Sequence, residues 1–69
     1  MINIKGKVKI FDSKRGFGFI RDNYDTAYFV HITEVEGQKN LYPKQEVEFT
    51  PVKTNKGLAA KNVRVLKNG

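Results

Sequence analysis

Apolar and polar residues alternate with a period of two along most of the chain. Ile4, Gly6, Val8 and Ile10 are interleaved with Lys5, Lys7 and Lys9, which predicts a strand with one dry face and one wet face. The polar stretch 12–16 reads as a turn into a second strand over 17–20. Asp22-Asn23-Tyr24-Asp25 has turn chemistry, and 27–32 is a third, β-rich run. Residues 33–44 form a long connection carrying Gly37 and Pro43. Alternation returns over 45–53, with Val47, Phe49 and Pro51 on one side. Thr54-Asn55-Lys56-Gly57 reads as a hairpin turn, where Asn and Gly tolerate positive φ. A last strand over 58–66 puts Val63 and Val65 in the core. No helical segment, internal repeat or low-complexity tract stands out. The pattern predicts an all-β fold, a small five-stranded antiparallel barrel, with residues 1–69 as one domain and its core over about 4–66.

Size makes that closure necessary. The chain has 69 residues, and a domain of this length buries only about 60% of the surface its unfolded chain exposes. It contains no Cys, which removes disulfides and thiolate metal sites together. A barrel without open edges is the remaining source of order. The first five residues hold no apolar signal-peptide stretch, and no run reaches membrane-spanning length. A soluble cytoplasmic protein without membrane contact is therefore expected. Lys and Arg number 13 against 7 acidic residues, a formal charge of +6. Such a surface is either simply well solvated or attracts a polyanion, releasing its counterions. Charge alone does not choose between these.

The aromatic residues do. In Lys14-Arg15-Gly16-Phe17-Gly18-Phe19-Ile20, strand geometry sends Phe17 and Phe19 to one face and Gly18 to the other. Phe29 and His31 share a face in the third strand by the same alternation. Pairing of the second and third strands would gather all four rings into one patch, with Gly16 and Gly18 leaving the rings uncrowded. Were these rings the core instead, Ile20, Val30 and Ile32 would have to face water, although they suit an interior better than His31 does. A ring patch beside cations is a platform for unpaired bases, each stack being worth about 1–3 kcal/mol.

Gly6-Lys7-Val8-Lys9-x-Phe11, Gly16-Phe17-Gly18-Phe19-Ile20, Phe29-Val30-His31 and Ala59-Ala60-x-Asn62-Val63 together resemble the bacterial cold-shock proteins. The resemblance runs from about Lys5 to Val65. It implies a five-stranded OB-fold barrel that binds single-stranded RNA or DNA on its second and third strands, with RNA-chaperone-like activity and low sequence specificity. It places base stacking on Phe17, Phe19, Phe29 and His31, and cationic or polar contacts on Lys9, Asp12, Arg15 and Lys56. Lys7 adds a further backbone cation. An RRM shares part of the glycine–aromatic motif, but this chain has Asp22 in place of the final aromatic and lacks the helices.

The chain also departs from the family it resembles. Ile10 stands where the family usually has Trp, and Ile32 where it has an aromatic. A further aromatic that the family carries in the loop between the third and fourth strands has no counterpart here, Gln38 being the nearest residue to that position. Strict alternation turns Ile10 inward with Val8, whereas the resemblance puts it on the binding surface. A bulge near 9–11 would reconcile the two, because one extra residue reverses the facing. Many bacterial cold-shock proteins are acidic and this chain is basic, so backbone electrostatics are expected to replace part of the lost stacking. Tyr28 occupies a core position, with its hydroxyl expected at the rim. Tyr24 is a candidate extension of the platform, and Tyr42 reads as a loop residue.

Enzymatic classes fit poorly. The chain holds one Ser, Ser13, and one His, His31, which do not assemble a triad. Asp22, Asp25 and Glu34 lack the spacing of a metal loop, and Gly16-x-Gly18 lacks the rest of a dinucleotide fingerprint. No catalysis, cofactor, metal or small-molecule substrate is expected. The competing reading is a barrel of the same fold diverted to binding a ribosomal or transcription protein.

Overall fold

The structure, a computed structural model, describes residues 2–67. Its strands are β1 (Ile4–Asp12), β2 (Phe17–Asp22), β3 (Ala27–His31), β4 (Glu46–Thr54) and β5 (Gly57–Lys67). They close into a barrel in the order β1-β2-β3-β5-β4. Four ladders are antiparallel, as the sequence pattern predicts. The fifth contact, which closes the barrel, is parallel and brings Phe29 of β3 against Ala59 of β5. That pairing joins residues far apart in the chain, so no local pattern announces it.

Alternation in the sequence becomes inside and outside in the barrel. Val8, Ile20, Val30, Val47, Phe49 and Val63 are buried. Tyr28 joins them with its ring 4.9 Å from that of Phe49, and its hydroxyl reaches the rim to donate to Asp22 Oδ2 at 2.9 Å. Val65 and Pro51 are only partly buried. At Pro51 the reason is a register shift between Glu48 and Thr50, which turns Thr50 inward beside Phe49.

The third strand stops at His31, one residue earlier than the pattern predicts. The His31 side chain accepts from Thr33 N–H and caps a single 3-10 turn, Ile32–Glu34, which a second turn, Glu36–Gln38, follows. These two turns are the only departures from strand and loop among the described residues. The long connection is also less peripheral than its composition implies. Val35 and Leu41 are buried in the core, and Val35 bridges in parallel to Val63.

A bulge in β1 settles the facing of Ile10. Val8 pairs with Ile20, but Ile10 pairs with Phe19, leaving Lys9 as the extra residue. Val8 therefore points in, Ile10 points out at 58% exposure, and Phe11 turns back to pack against the core. Gly18 lies beneath this bulge. A methyl group there would overlap the Ile10 carbonyl oxygen and come within 2.7 Å of the Phe11 Cα. Gly18 is thus required by the approach of the β1 backbone on the inner side, not by the space around the rings. Gly16, at φ +75°, provides the left-handed step that ends the turn into β2.

Candidate nucleic-acid interface

Register lines up the outer face of β1, β2 and β3 in rows. The central row runs Ile10, Phe19, Phe29, and then Ala59 on β5. On one side of it lie Asp12, Phe17 and His31; on the other lie Lys7, Arg21 and Ala27. The facing of each side chain follows from the period of two, with the β1 bulge bringing Ile10 and Asp12 into the same plane as the β2 and β3 rings.

The rings are accessible and grouped. Phe19 and Phe29 are 41% and 39% exposed, Phe17 is half-buried and His31 is exposed. Phe29 touches both β2 rings, with centroids 5.6 Å from Phe17 at a 31° tilt and 6.0 Å from Phe19 edge-on at 76°. Edge and tilted contacts of this kind hold aromatic side chains in fixed orientations. His31 Nδ1 accepts from Thr33 N–H at 3.2 Å and lies 2.9 Å from Thr33 Oγ1. Both contacts fix the imidazole plane.

A groove of about 680 Å³ runs along this face. Its walls include Ala27, Phe19, Phe29, His31, Leu58 and Lys56. Lys56 reaches it from the β4–β5 hairpin turn, which the structure places at 55–56 as the sequence predicts. On the far rim, Lys61 Nζ lies 3.2 Å from Glu34 Oε2.

Of the predicted site residues, Phe19, Phe29, His31 and Lys56 line this groove, and the others lie outside its lining. Lys9 is exposed at the bulge. Arg15 projects from the β1–β2 turn with its side chain 75% exposed and its Nε 3.8 Å from Asp12. Asp12 itself is engaged in the turn, its Oδ1 accepting from Lys14 N–H at 3.0 Å and Arg15 N–H at 3.2 Å. Ile32 is half-buried; its backbone N–H donates to the Gly16 carbonyl at 2.8 Å, and its side chain packs over Gly16 at the edge of the patch. Tyr24 is 90% exposed in the β2–β3 turn. Tyr42 lines a separate groove with Gln38, Lys39 and Val65.

Two residues of this face escaped the sequence reading. Leu58, 39% exposed, carries no signal in the sequence beyond its place at the start of the last strand. Arg21 continues the outward alternation of Phe17 and Phe19, and that period alone was enough to find it.

The Asp22 carboxylate is held below its ordinary value. The Thr26 N–H at 2.9 Å is the main cause, partial burial opposes it, and the Tyr28 hydroxyl and Tyr24 N–H add to it. Burial, with Asp22 beside it, raises the Tyr28 phenol above its usual value. This network ties the β2–β3 turn to the barrel. Among the described residues no group of His, Cys, Asp and Glu is arranged to hold a metal ion.

Comparison with known proteins agrees with this geometry. Residues 4–66 match the family model described as 'Cold-shock' DNA-binding domain. The chain is 46% identical over 68 residues to a cold shock-like protein of Aquifex aeolicus, covering 94% of this chain and 97% of that one. It is 47% identical over 60 residues to cold shock protein CspD of Bacillus subtilis, covering 84% and 91%. Among solved structures it superposes on Drosophila Unr CSD456 with a TM-score of 0.78 at 27% identity, covering 99% of this chain and 28% of that one. The matched family is one of nucleic-acid-binding domains. With the closed five-stranded barrel and a match over 4–66, the chain belongs to the cold-shock domain family.

Proposed function

We propose that the protein binds single-stranded RNA or DNA by stacking unpaired bases on Phe17, Phe19, Phe29 and His31, with Ile10 extending the row. Lys7, Lys9, Arg15 and Lys56 neutralise the backbone. The observation that carries this reading is the set of half-exposed phenyl rings gathered on one sheet face, centroids 5.6 and 6.0 Å apart, in a protein of charge +6. Every base offers a π-face, so such a surface is tolerant of sequence. The edge-on packing of Phe19 against Phe29 means that bases lying on the two rings are not parallel to each other. That suits a splayed single strand and not a stacked duplex.

Ile10 replaces a flat ring with a branched aliphatic one position from Phe19. It keeps apolar contact but offers no stacking face. Three good stacks contribute roughly 3–9 kcal/mol gross before ordering costs. Micromolar affinity requires about 8 kcal/mol net, so binding is expected to be micromolar or weaker and rapidly reversible. Weak, exchanging capture of unpaired strands in the cytoplasm opposes secondary structure in RNA, which is a chaperone activity.

The test is fluorescence anisotropy with a labelled oligopyrimidine of about six or seven nucleotides, within the roughly 4–16 that one barrel of this fold covers. Phe19→Ala or Phe29→Ala is expected to weaken binding by about 1–3 kcal/mol while the domain stays folded. Unchanged affinity in both variants, or equal affinity for a duplex of the same sequence, would refute the stacking mechanism. Absence of any binding at low salt would favour the protein-interaction reading.

A further inference from the structure

The outer face does not end at the aromatic row. On its side away from the β1–β2 turn, Lys7 stands directly opposite Arg21, and Arg21 directly opposite Ala27. Like charges placed opposite each other on neighbouring strands repel. The fold accommodates this pair with a makeshift arrangement. The Arg21 guanidinium is drawn sideways to Asp25, with Nη1 3.0 Å from Oδ1 and 3.3 Å from the Asp25 carbonyl oxygen. Asp25 is 80% exposed and Arg21 42% exposed at their side chains, and ion pairs so open to water are weak and easily exchanged. Lys7 has Glu46 as its cross-strand neighbour on β4, but makes no ion pair among the described residues.

Ala27 decides where this pair can act. Its side chain is a single methyl group, it stands opposite Arg21, and it lines the groove that holds Phe19 and Phe29. The groove thus reaches the strand position next to Arg21.

We infer that Arg21 and Lys7 together form a seat for one backbone phosphate of the bound single strand, at the end of the platform beyond the Ile10–Phe19–Phe29 row. Asp25 occupies the guanidinium when no nucleic acid is present and gives it up on binding. The phosphate relieves the Lys7–Arg21 repulsion, and the pair lengthens the footprint in a chain whose Ile10 stacks poorly. The inference rests on the stacking reading above and adds the residue and the chemical group that contact each other at this end.

Salt titration of a six- or seven-nucleotide oligopyrimidine tests it on the intact protein. One phosphate neutralised on a single strand contributes about 0.7 to the log–log salt slope, or about fivefold in affinity at 0.1 M salt relative to 1 M. Arg21→Gln is expected to reduce the slope by about that amount and to weaken binding about fivefold at 0.1 M. Arg21→Lys should restore most of the slope. Asp25→Asn, tolerated at the φ of +66° found there, should strengthen binding, and should do so much less in the Arg21→Gln background. An unchanged slope in Arg21→Gln, or an Asp25→Asn gain independent of Arg21, overturns the inference. Phe29→Ala measured alongside separates the two readings. If Phe29→Ala loses affinity and Arg21→Gln keeps its slope, only the phosphate seat falls; if neither matters, the stacking reading falls as well.

Discussion

At Tyr28 a phenol occupies a position where an aliphatic side chain would fill the same space, and its use lies in the hydroxyl. The ring packs on Phe49 while the oxygen donates to Asp22, whose carboxylate also accepts from Tyr24 N–H and Thr26 N–H. Because the folded pKa of Asp22 lies below its ordinary 3.8, the network contributes stability that is present above that value and lost as pH falls through the folded one. Acid denaturation followed by circular dichroism is expected to steepen below about pH 4, and Asp22→Asn should flatten that limb by lowering stability at neutral pH. Tyr28 works in the opposite direction. Its raised folded value keeps the hydroxyl protonated, so its contribution holds below pH 10 and is lost at more alkaline pH. Tyr28→Phe should therefore lower Tm near neutrality and remove the alkaline loss. Tyr28 was readable from sequence as a core ring with a rim hydroxyl, whereas the acceptor was not, because Asp22 reads as ordinary turn chemistry.

Among the elements, β1 explains the most about how pattern becomes surface. Alternation read strictly sends Ile10 into the core; the bulge at Lys9 reverses it and restores Phe11 to the interior. A conflict between two readings of the same residues was the visible sign of the bulge, and Gly18 is its counterpart on the facing strand. Gly18→Ala is expected to destabilise the domain by about 3 kcal/mol, the upper part of the usual range for overpacking, visible as a drop in denaturant midpoint. In so small a domain that is a large share of the total stability. The connection between β3 and β4 was least legible. Val35 and Leu41 are buried there without any period to mark them, since Val35 is the junction between the two 3-10 turns and Leu41 lies in irregular chain beyond them.

For the whole molecule, closure and charge oppose each other. The parallel contact of Phe29 with Ala59 seals the barrel and brings β5, with Leu58 and Lys56, alongside the rings; it is a non-local pairing and leaves no trace in the local pattern. The alternating strands, the order of the hairpins and the outward rings are all local, which is why the fold and most of the candidate face were legible. Compacting a net charge of +6 costs self-repulsion, which added salt screens and a bound polyanion offsets. Sodium phosphate is expected to raise Tm in thermal scans while it weakens oligonucleotide binding, the log–log slope being about −0.7 for each phosphate neutralised on a single strand. A slope of zero would remove the role assigned to the cations.

Heteronuclear NMR titration with a short oligopyrimidine at low salt shows whether the outward rings of β2 and β3 receive unpaired bases. Shifts concentrated on Ile10, Phe17, Phe19, Phe29 and His31, with Tyr42 and Val65 on the separate groove unmoved, are the expected result. Shifts centred on Tyr42 and Val65, or a spectrum unchanged at saturating oligonucleotide, would contradict it.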